Sequence, residues 1–177
     1  MKEVVHVMYS EETVLQRIQE MAEMINRDYA GKSVHLICIL KGSVMFMVDL
    51  AKKINVPVTM DFMSVSSYGS GTSSSGVVRI VKDLDEPIEG KNVIVVEDII
   101  DSGRTLAYLL EILEHRNPAS LRLCTLLDKP DRRVVQSVQV DYTGFVIPDA
   151  FVVGYGLDYA QRYRNLPFIG ELEFQED

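Results

Sequence analysis

The sequence predicts an α/β fold: a parallel-cored, twisted sheet flanked by helices, with a small hood from the chain ends and a flexible β-hairpin lid. Three observations predict it. The apolar runs VHLICIL (34–40), VIVV (93–96) and LRLCTLL (121–127) read as strands buried on both faces. Segments whose apolar residues recur at helical spacing alternate with them, the β-α-β-α order of a parallel sheet with helices on both faces. With 177 residues, the chain has room for one such domain with a proper core, spanning 1–177.

In chain order, VVHVM (4–8) is a short edge strand. Ser10 caps the helix that follows, and Glu11 and Glu12 sit favourably in its first turn. Val14, Ile18, Met21 and Ile25 form its apolar stripe, and Gly31 is placed to end it. The strand 34–40 runs into Lys41-Gly42-Ser43, a tight turn, and then the helix VMFMVDLAKKI; a glycine-serine turn at a helix start can cup an anion. Pro57 opens the strand VTMDFMSVSS, and VVRIVK (77–82) returns as its hairpin partner. Between them, 67–76 holds glycines and serines around one large aromatic, Tyr68, the composition of a lid over a reactive site. Strand 93–96 leads through EDIIDSGRT to the helix beginning LAYLLEILEH, and Asn117-Pro118 breaks the chain. LRLCTLL ends at Asp128-Lys129-Pro130. A short strand is expected around Val138–Tyr142, and the hairpin near the lid is expected to join the C-terminal strands in the hood, which comes mainly from about 145–177.

Composition narrows the function. A net charge of −8 and a pI near 4.9 argue against a general nucleic-acid binder, which needs a basic face. No apolar run approaches the ~20 residues that span a bilayer. The start MKEVVHVMYSEET turns acidic too early for a signal peptide, so the cytoplasm is the expected location. Cys38 and Cys124 each lie in an apolar run and read as buried thiols; His6, His35 and His115 have no metal-ligand spacing.

The informative stretch is Val93–Thr105. It puts two adjacent acids, Glu97 and Asp98, and then Asp101, Ser102, Gly103, Arg104 and Thr105 where a parallel strand hands over to a helix, the rim at which open α/β sheets bind ligands. Ser102, Gly103 and Thr105 can offer amides and hydroxyls to a phosphate at the helix start. Glu97 and Asp98 can accept hydrogen bonds from sugar hydroxyls or hold Mg2+ together with them. A phosphate cup and a diol clamp this close describe a ribose 5-phosphate site. The plainer reading, solvated acids with Asp101 as a helix cap, leaves two acids at the end of an apolar strand without a use.

VEDIIDSGRT (96–105), with LKGS (40–43), SSYGSG (66–71), LLDKP (126–130) and FVVGYGLDYAQRYRNLP (151–167), resembles the hypoxanthine-guanine phosphoribosyltransferases in motif and in order. The resemblance implies the type I phosphoribosyltransferase fold. It also implies transfer of 5-phosphoribose from phosphoribosyl pyrophosphate to N9 of a 6-oxopurine, with Mg2+ as cofactor. Asp101 then corresponds to the general base near purine N7, and the loop from Asp101 to Thr105 to the 5′-phosphate cup. Glu97 and Asp98 correspond to the acids at the ribose hydroxyls, and Asp158 to one holding a second Mg2+ through water. Lys41, Gly42 and Arg164 correspond to pyrophosphate contacts, the Leu40–Lys41 peptide being cis in relatives. Ser67 and Tyr68 belong to the lid. Lys129 corresponds to the donor to purine O6, Phe151 to the ring stacked on the base, and the Val152 backbone to the reader of its edge. Association into a homodimer or homotetramer is implied as well.

Singly, Lys129 also reads as a turn lysine, Phe151 as a core aromatic and Arg164 as a surface cation. A competing reading keeps the fold as a nucleotide-sensing regulator that binds RNA or DNA. The acidic charge and the intact base-reading segment argue against it. A weaker one is the same chemistry on xanthine or a pyrimidine. The hypoxanthine-to-guanine preference is not legible, because backbone carbonyls read C2.

Overall fold

The computed structural model describes residues 2–67 and 78–175. In chain order the elements are β1 (Lys2–Tyr9), α1 (Glu11–Asp28), β2 (Val34–Ile39), α2 (Val44–Lys53), β3 (Val58–Ser67), β4 (Val78–Lys82), β5 (Asn92–Ile100), α3 (Arg104–Glu114), β6 (Ser120–Asp128), β7 (Tyr142–Val146), β8 (Val152–Val153) and β9 (Ile169–Gln175), with one 3-10 turn at Pro130–Arg132. Among the described residues the strands form two sheets, one of six in the order β4-β3-β2-β5-β6-β7 and one of three in the order β1-β9-β8.

In the six-stranded sheet the parallel core is β3-β2-β5-β6-β7, and among the described residues its edge pair β3-β4 is antiparallel. The strands read as continuous apolar runs because helices cover both faces. Along β5, Ile94 and Val96 pack with α1 and α2 residues such as Ile18, Met21, Phe46 and Met47. Val93 and Val95 turn the other way, onto Leu106, Leu109 and Leu113 of α3. Helix α1 starts as expected: Ser10 Oγ accepts from the Thr13 amide at 3.2 Å. Cys38 and Cys124 are free and buried, and burial pushes the Cys38 thiol up to about 11.

Three expectations need correction. No strand forms around Val138; the strand begins at Tyr142 and runs to Val146. Val138 is buried as a loop residue against the α3 side of the core, whereas Tyr142 is the first residue in register with β6, opposite Cys124. The apolar strand 93–96 does not stop before the acids, because β5 continues through Glu97 and Asp98 to Ile100, held by pairing with β6 as far as Asp128. The β3-β4 hairpin extends the main sheet rather than joining a hood, since β3 follows β2 in parallel register. The chain ends form the second sheet, β1, β9 and β8, with β9 bonded antiparallel to both partners.

The strand order positions the site. After β2 the chain moves to β3 on one side; after β5 it moves to β6 on the other. The connections diverge between β2 and β5, and the crevice beyond their carboxyl ends is the switch point at which such sheets bind ligands. The turn Lys41–Ser43 and the stretch Glu97–Thr105 both end there.

Candidate active site

On the β5 side, the chain leaves the sheet at Ile100 and enters α3 through Gly103, whose φ of +80° puts it in the left-handed region natural to glycine. Gly103 has no side chain with which to cap the helix, so first-turn amides of α3 after Arg104 face the turn without a side-chain cap. The Ser102 carbonyl accepts from the Val134 and Val135 amides, both at 3.0 Å, which fixes the loop from below. Arg133 completes the support, donating from Nε to the Asp101 carbonyl at 3.2 Å and pairing with the Asp128 carboxylate. Glu97, Asp101, Ser102, Gly103 and Thr105 line a cavity of about 230 Å3 at this turn. Arg104 opens the helix, its amide donating to Ser102 Oγ at 3.4 Å.

A second cavity, of about 500 Å3, shares Ile99 and Asp101 with the first. Its wall includes Lys129, Arg132, Asp149, Phe151, Val152 and Asp158. Lys129 is held at the end of β6 by its amide, which donates to the Ile100 carbonyl at 3.0 Å. Its ammonium is largely buried, 3.7 Å from Asp149. The Phe151 ring is half exposed and meets Tyr159 edge-on at 5.7 Å, a flat face available for stacking. Val152 is buried in the core and lines the same wall. Asp101 does not cap α3; its carboxylate accepts from Arg132 Nε at 3.1 Å.

On the β2 side, the Leu40–Lys41 peptide is cis. Gly42 presses on the Asp98 carboxylate so closely that a Cβ there would overlap it, and a Cβ on Gly156 would overlap the Gly42 carbonyl. Two turns and the end of β5 therefore stack through two glycines. Arg164 locks the stack, donating from Nη1 to the Gly156 carbonyl at 2.7 Å and pairing with Asp158 at 2.9 Å. The Gln161 side-chain oxygen accepts from both Lys41 and Arg164 at 3.3 Å, so two cations converge on one neutral oxygen. Arg164 Nε is buried and, among the described residues, has no acceptor. Converging cations with an unused donor suit an anionic ligand. The loop that delivers them is strained: Tyr155, Ala160, Gln161 and Tyr163 all have positive φ, from 50° to 79°.

The adjacent acids interact through their side chains, Glu97 lining the cavity at the start of α3 and Asp98 reaching Gly42. Burial, reinforced by the charge of Asp98, pushes the Glu97 pKa well above the usual carboxylate range. Burial also raises that of Asp98, against the amide of Ile99, which donates to it at 2.8 Å. Two desolvated carboxylates side by side are a poor resting arrangement and a good cation site. Among the described residues no group of three or more His, Cys, Asp or Glu is arranged around a metal.

The structure thus brings together Lys41, Gly42, Glu97, Asp98, the stretch Asp101–Thr105, Lys129, Phe151, Val152, Asp158 and Arg164 around one crevice. Tyr68 and the rest of the expected lid lie outside the described residues, as does the side chain of Ser67. Sequence reasoning missed Arg132, Arg133, Asp149, Gly156 and Gln161. The pair Arg132-Arg133, three and four residues past Lys129, was the available signal.

Comparison with known proteins shows the family. Residues 8–160 match the family described as phosphoribosyl transferase domain. The chain is 54% identical over 174 residues to the hypoxanthine phosphoribosyltransferase of Escherichia coli K12, covering 97% of each. It is 52% identical over 167 residues to a bifunctional protein TilS/HprT of Listeria monocytogenes, covering 94% of this chain but only 26% of that protein, so it spans about a quarter of that relative's length. A crystal structure of a hypoxanthine phosphoribosyltransferase from Staphylococcus aureus superimposes with a TM-score of 0.92 at 48% identity, covering 95% of this chain and 91% of that one.

Proposed function

The chain belongs to the phosphoribosyl transferase family, and from that premise we propose that it transfers 5-phosphoribose from phosphoribosyl pyrophosphate to N9 of hypoxanthine, guanine or both. The products are IMP or GMP and pyrophosphate, a purine-salvage reaction. The observation that carries this reading is the pair of cavities joined at Ile99 and Asp101, with helix-start amides in one and the buried Lys129 in the other.

Each part of the substrate has a counterpart. The amides from Asp101 to Thr105 receive the 5′-phosphate. Glu97 and Asp98 accept from the ribose hydroxyls. Lys41, the Gly42 backbone and Arg164 receive the pyrophosphate, whose oxygens replace that of Gln161. The base stacks on Phe151, its edge against the Val152 backbone and its 6-keto oxygen toward Lys129. A 6-amino group offers Lys129 a donor instead of an acceptor and sets two donors against each other, which is why adenine is refused. As the bond from C1 to pyrophosphate breaks and N9 attacks, Asp101 takes or shares the N7 proton. Arg164 and Lys41 stabilise the charge that collects on the departing pyrophosphate.

Glu97 and Asp98 fit Mg2+, a hard cation that is commonly held by one or two carboxylates together with substrate oxygens rather than by a protein cage. Asp158, which pairs with Arg164, would hold a second ion. When bound, Mg2+ supplies charge neutralisation for the leaving group. Half-exposed Met45 and Val48 on α2 and Met60 on β3 suit burial between copies, in line with a homodimer or homotetramer. Among the described residues no helix is long and apolar enough to cross a membrane, and the cytoplasm remains the proposed location.

The test is turnover with phosphoribosyl pyrophosphate, Mg2+ and each of hypoxanthine, guanine, xanthine and adenine. Activity is expected with hypoxanthine, guanine or both, and almost none with adenine. Equal turnover of adenine would reject the role of Lys129. Salt-dependent RNA binding with no turnover would reject the enzyme.

A further inference from the structure

Four charged side chains meet on the wall of the purine-side cavity, and the reading above uses only two of them. Arg132 donates from Nε to Asp101 Oδ1 at 3.1 Å and from Nη1 to Asp149 Oδ2 at 3.5 Å. Lys129 Nζ stands 3.7 Å from the other oxygen of Asp149. Two cations and two anions make a neutral set, in which Arg132 occupies the acid that the reaction needs and Asp149 occupies the lysine. In the free protein, the two groups assigned to N7 and O6 of the purine are thus each engaged by another side chain.

We propose that Arg132 and Asp149 are positioning residues in an ion-pair exchange: the arriving base takes Asp101 from Arg132 and Lys129 from Asp149, and Arg132 closes on Asp149. The exchange rests on the proposed function and deepens it. It defines the ligand by chemistry, as a neutral heterocycle presenting a ring N–H donor beside a keto oxygen. Such a ring satisfies Asp101 and Lys129 together, and the released pair Arg132–Asp149 is also neutral. No buried charge is stranded at any stage. A ring with an amino group at the same place leaves Lys129 on Asp149, so Asp149 is not released to receive Arg132, Arg132 stays on Asp101, and the exchange does not take place.

The burial of the four groups suits their parts. The Arg132 and Asp101 side chains are 53% and 48% exposed. An ion pair this open is worth at most about fivefold in an equilibrium constant, so a stacked ring can displace it. Lys129 is only 11% exposed at its side chain, and an unpaired cation there would be costly. Asp149 therefore keeps Lys129 neutralised until a keto oxygen arrives.

Steady-state kinetics on the full chain test the exchange. Arg132→Ala removes the competitor for Asp101 and should lower the KM for hypoxanthine about two- to fivefold, with the KM for phosphoribosyl pyrophosphate moving less. Arg132→Lys should restore the wild-type value. If Arg132 merely braced the fold, Arg132→Ala would raise both KM values and lower Tm, and that result, or an unchanged hypoxanthine KM, overturns the proposal. A second measurement does not depend on turnover. The Arg132 Nε–H resonance, identified by its loss in Arg132→Lys, should shift on adding hypoxanthine with pyrophosphate and Mg2+, and should not shift with adenine. No shift, or the same shift with both bases, also overturns the exchange. A protein without transferase activity would reject the proposed function, and this resonance would still decide the exchange.

Discussion

Asp101 shows how little of a residue's role lies in its own chemistry. Alone it is an acid at the end of a strand, suited to capping the next helix. In the structure Gly103 takes the capping position, Arg133 holds the Asp101 carbonyl, and the carboxylate is turned into the space shared by the two cavities. Asp101→Asn keeps the shape and an acceptor for Arg132 but cannot take a proton. It should lower kcat about 100-fold or more while the KM for phosphoribosyl pyrophosphate changes only a few-fold. Single-turnover and steady-state assays on the variant check this, and wild-type turnover would remove Asp101 as the base. Lys129 was legible as a rim residue because it follows a buried strand directly. Asp149 was not, because its meeting with Lys129 and Arg132 depends on the path of the intervening chain.

At the scale of elements, the site is a stack of turns rather than a set of side chains. The Lys41–Ser43 turn, the end of β5 and the loop around Gly156 approach so closely that only hydrogen fits between them at Gly42 and Gly156. Gly156 also has a φ of +99°, so both its conformation and its contact exclude a side chain. Gly156→Ala must push apart two backbones. It should cost about 1–3 kcal/mol of stability, or about 2–4 °C in Tm for each kcal/mol in a chain of this length. The KM for phosphoribosyl pyrophosphate should rise with it, as Gly42 and Arg164 move out of place. Thermal unfolding and initial-rate measurements on the one variant check both, and an unchanged Tm would show that the stack yields. Strand alternation told which face each apolar residue of β5 takes. It did not tell where β5 ends, since that is decided by how far β6 continues to pair with it.

For the whole molecule, binding capacity is set against stability. Glu97 has a folded pKa well above its ordinary value of 4.5, through burial and the neighbouring Asp98 charge. The folded state therefore binds that proton more tightly than the unfolded chain does. The cost is absent below the unfolded value, grows as pH rises toward the folded one, and is full above it. Glu97→Gln should then raise Tm of the ligand-free protein at neutral and alkaline pH while lowering transferase activity. The gain should shrink as pH falls toward 4.5. Melting curves across pH on both proteins check the sign, and a variant less stable at pH 8 would refute it. Taken by itself, the sequence determined the alternation of buried strands and amphipathic helices, and the rim on which the acids, the Asp101–Thr105 turn and Lys129 lie. Those follow from periodicity and from motifs contiguous in the chain, where neighbours in sequence are neighbours in space. Only the tertiary structure decided that Gly42 meets Asp98 and Gly156, that Arg132 holds Asp101, and that Asp149 is shared between two cations. Each of these contacts joins segments whose separation is fixed by strand order and loop path, which no local pattern of residues encodes.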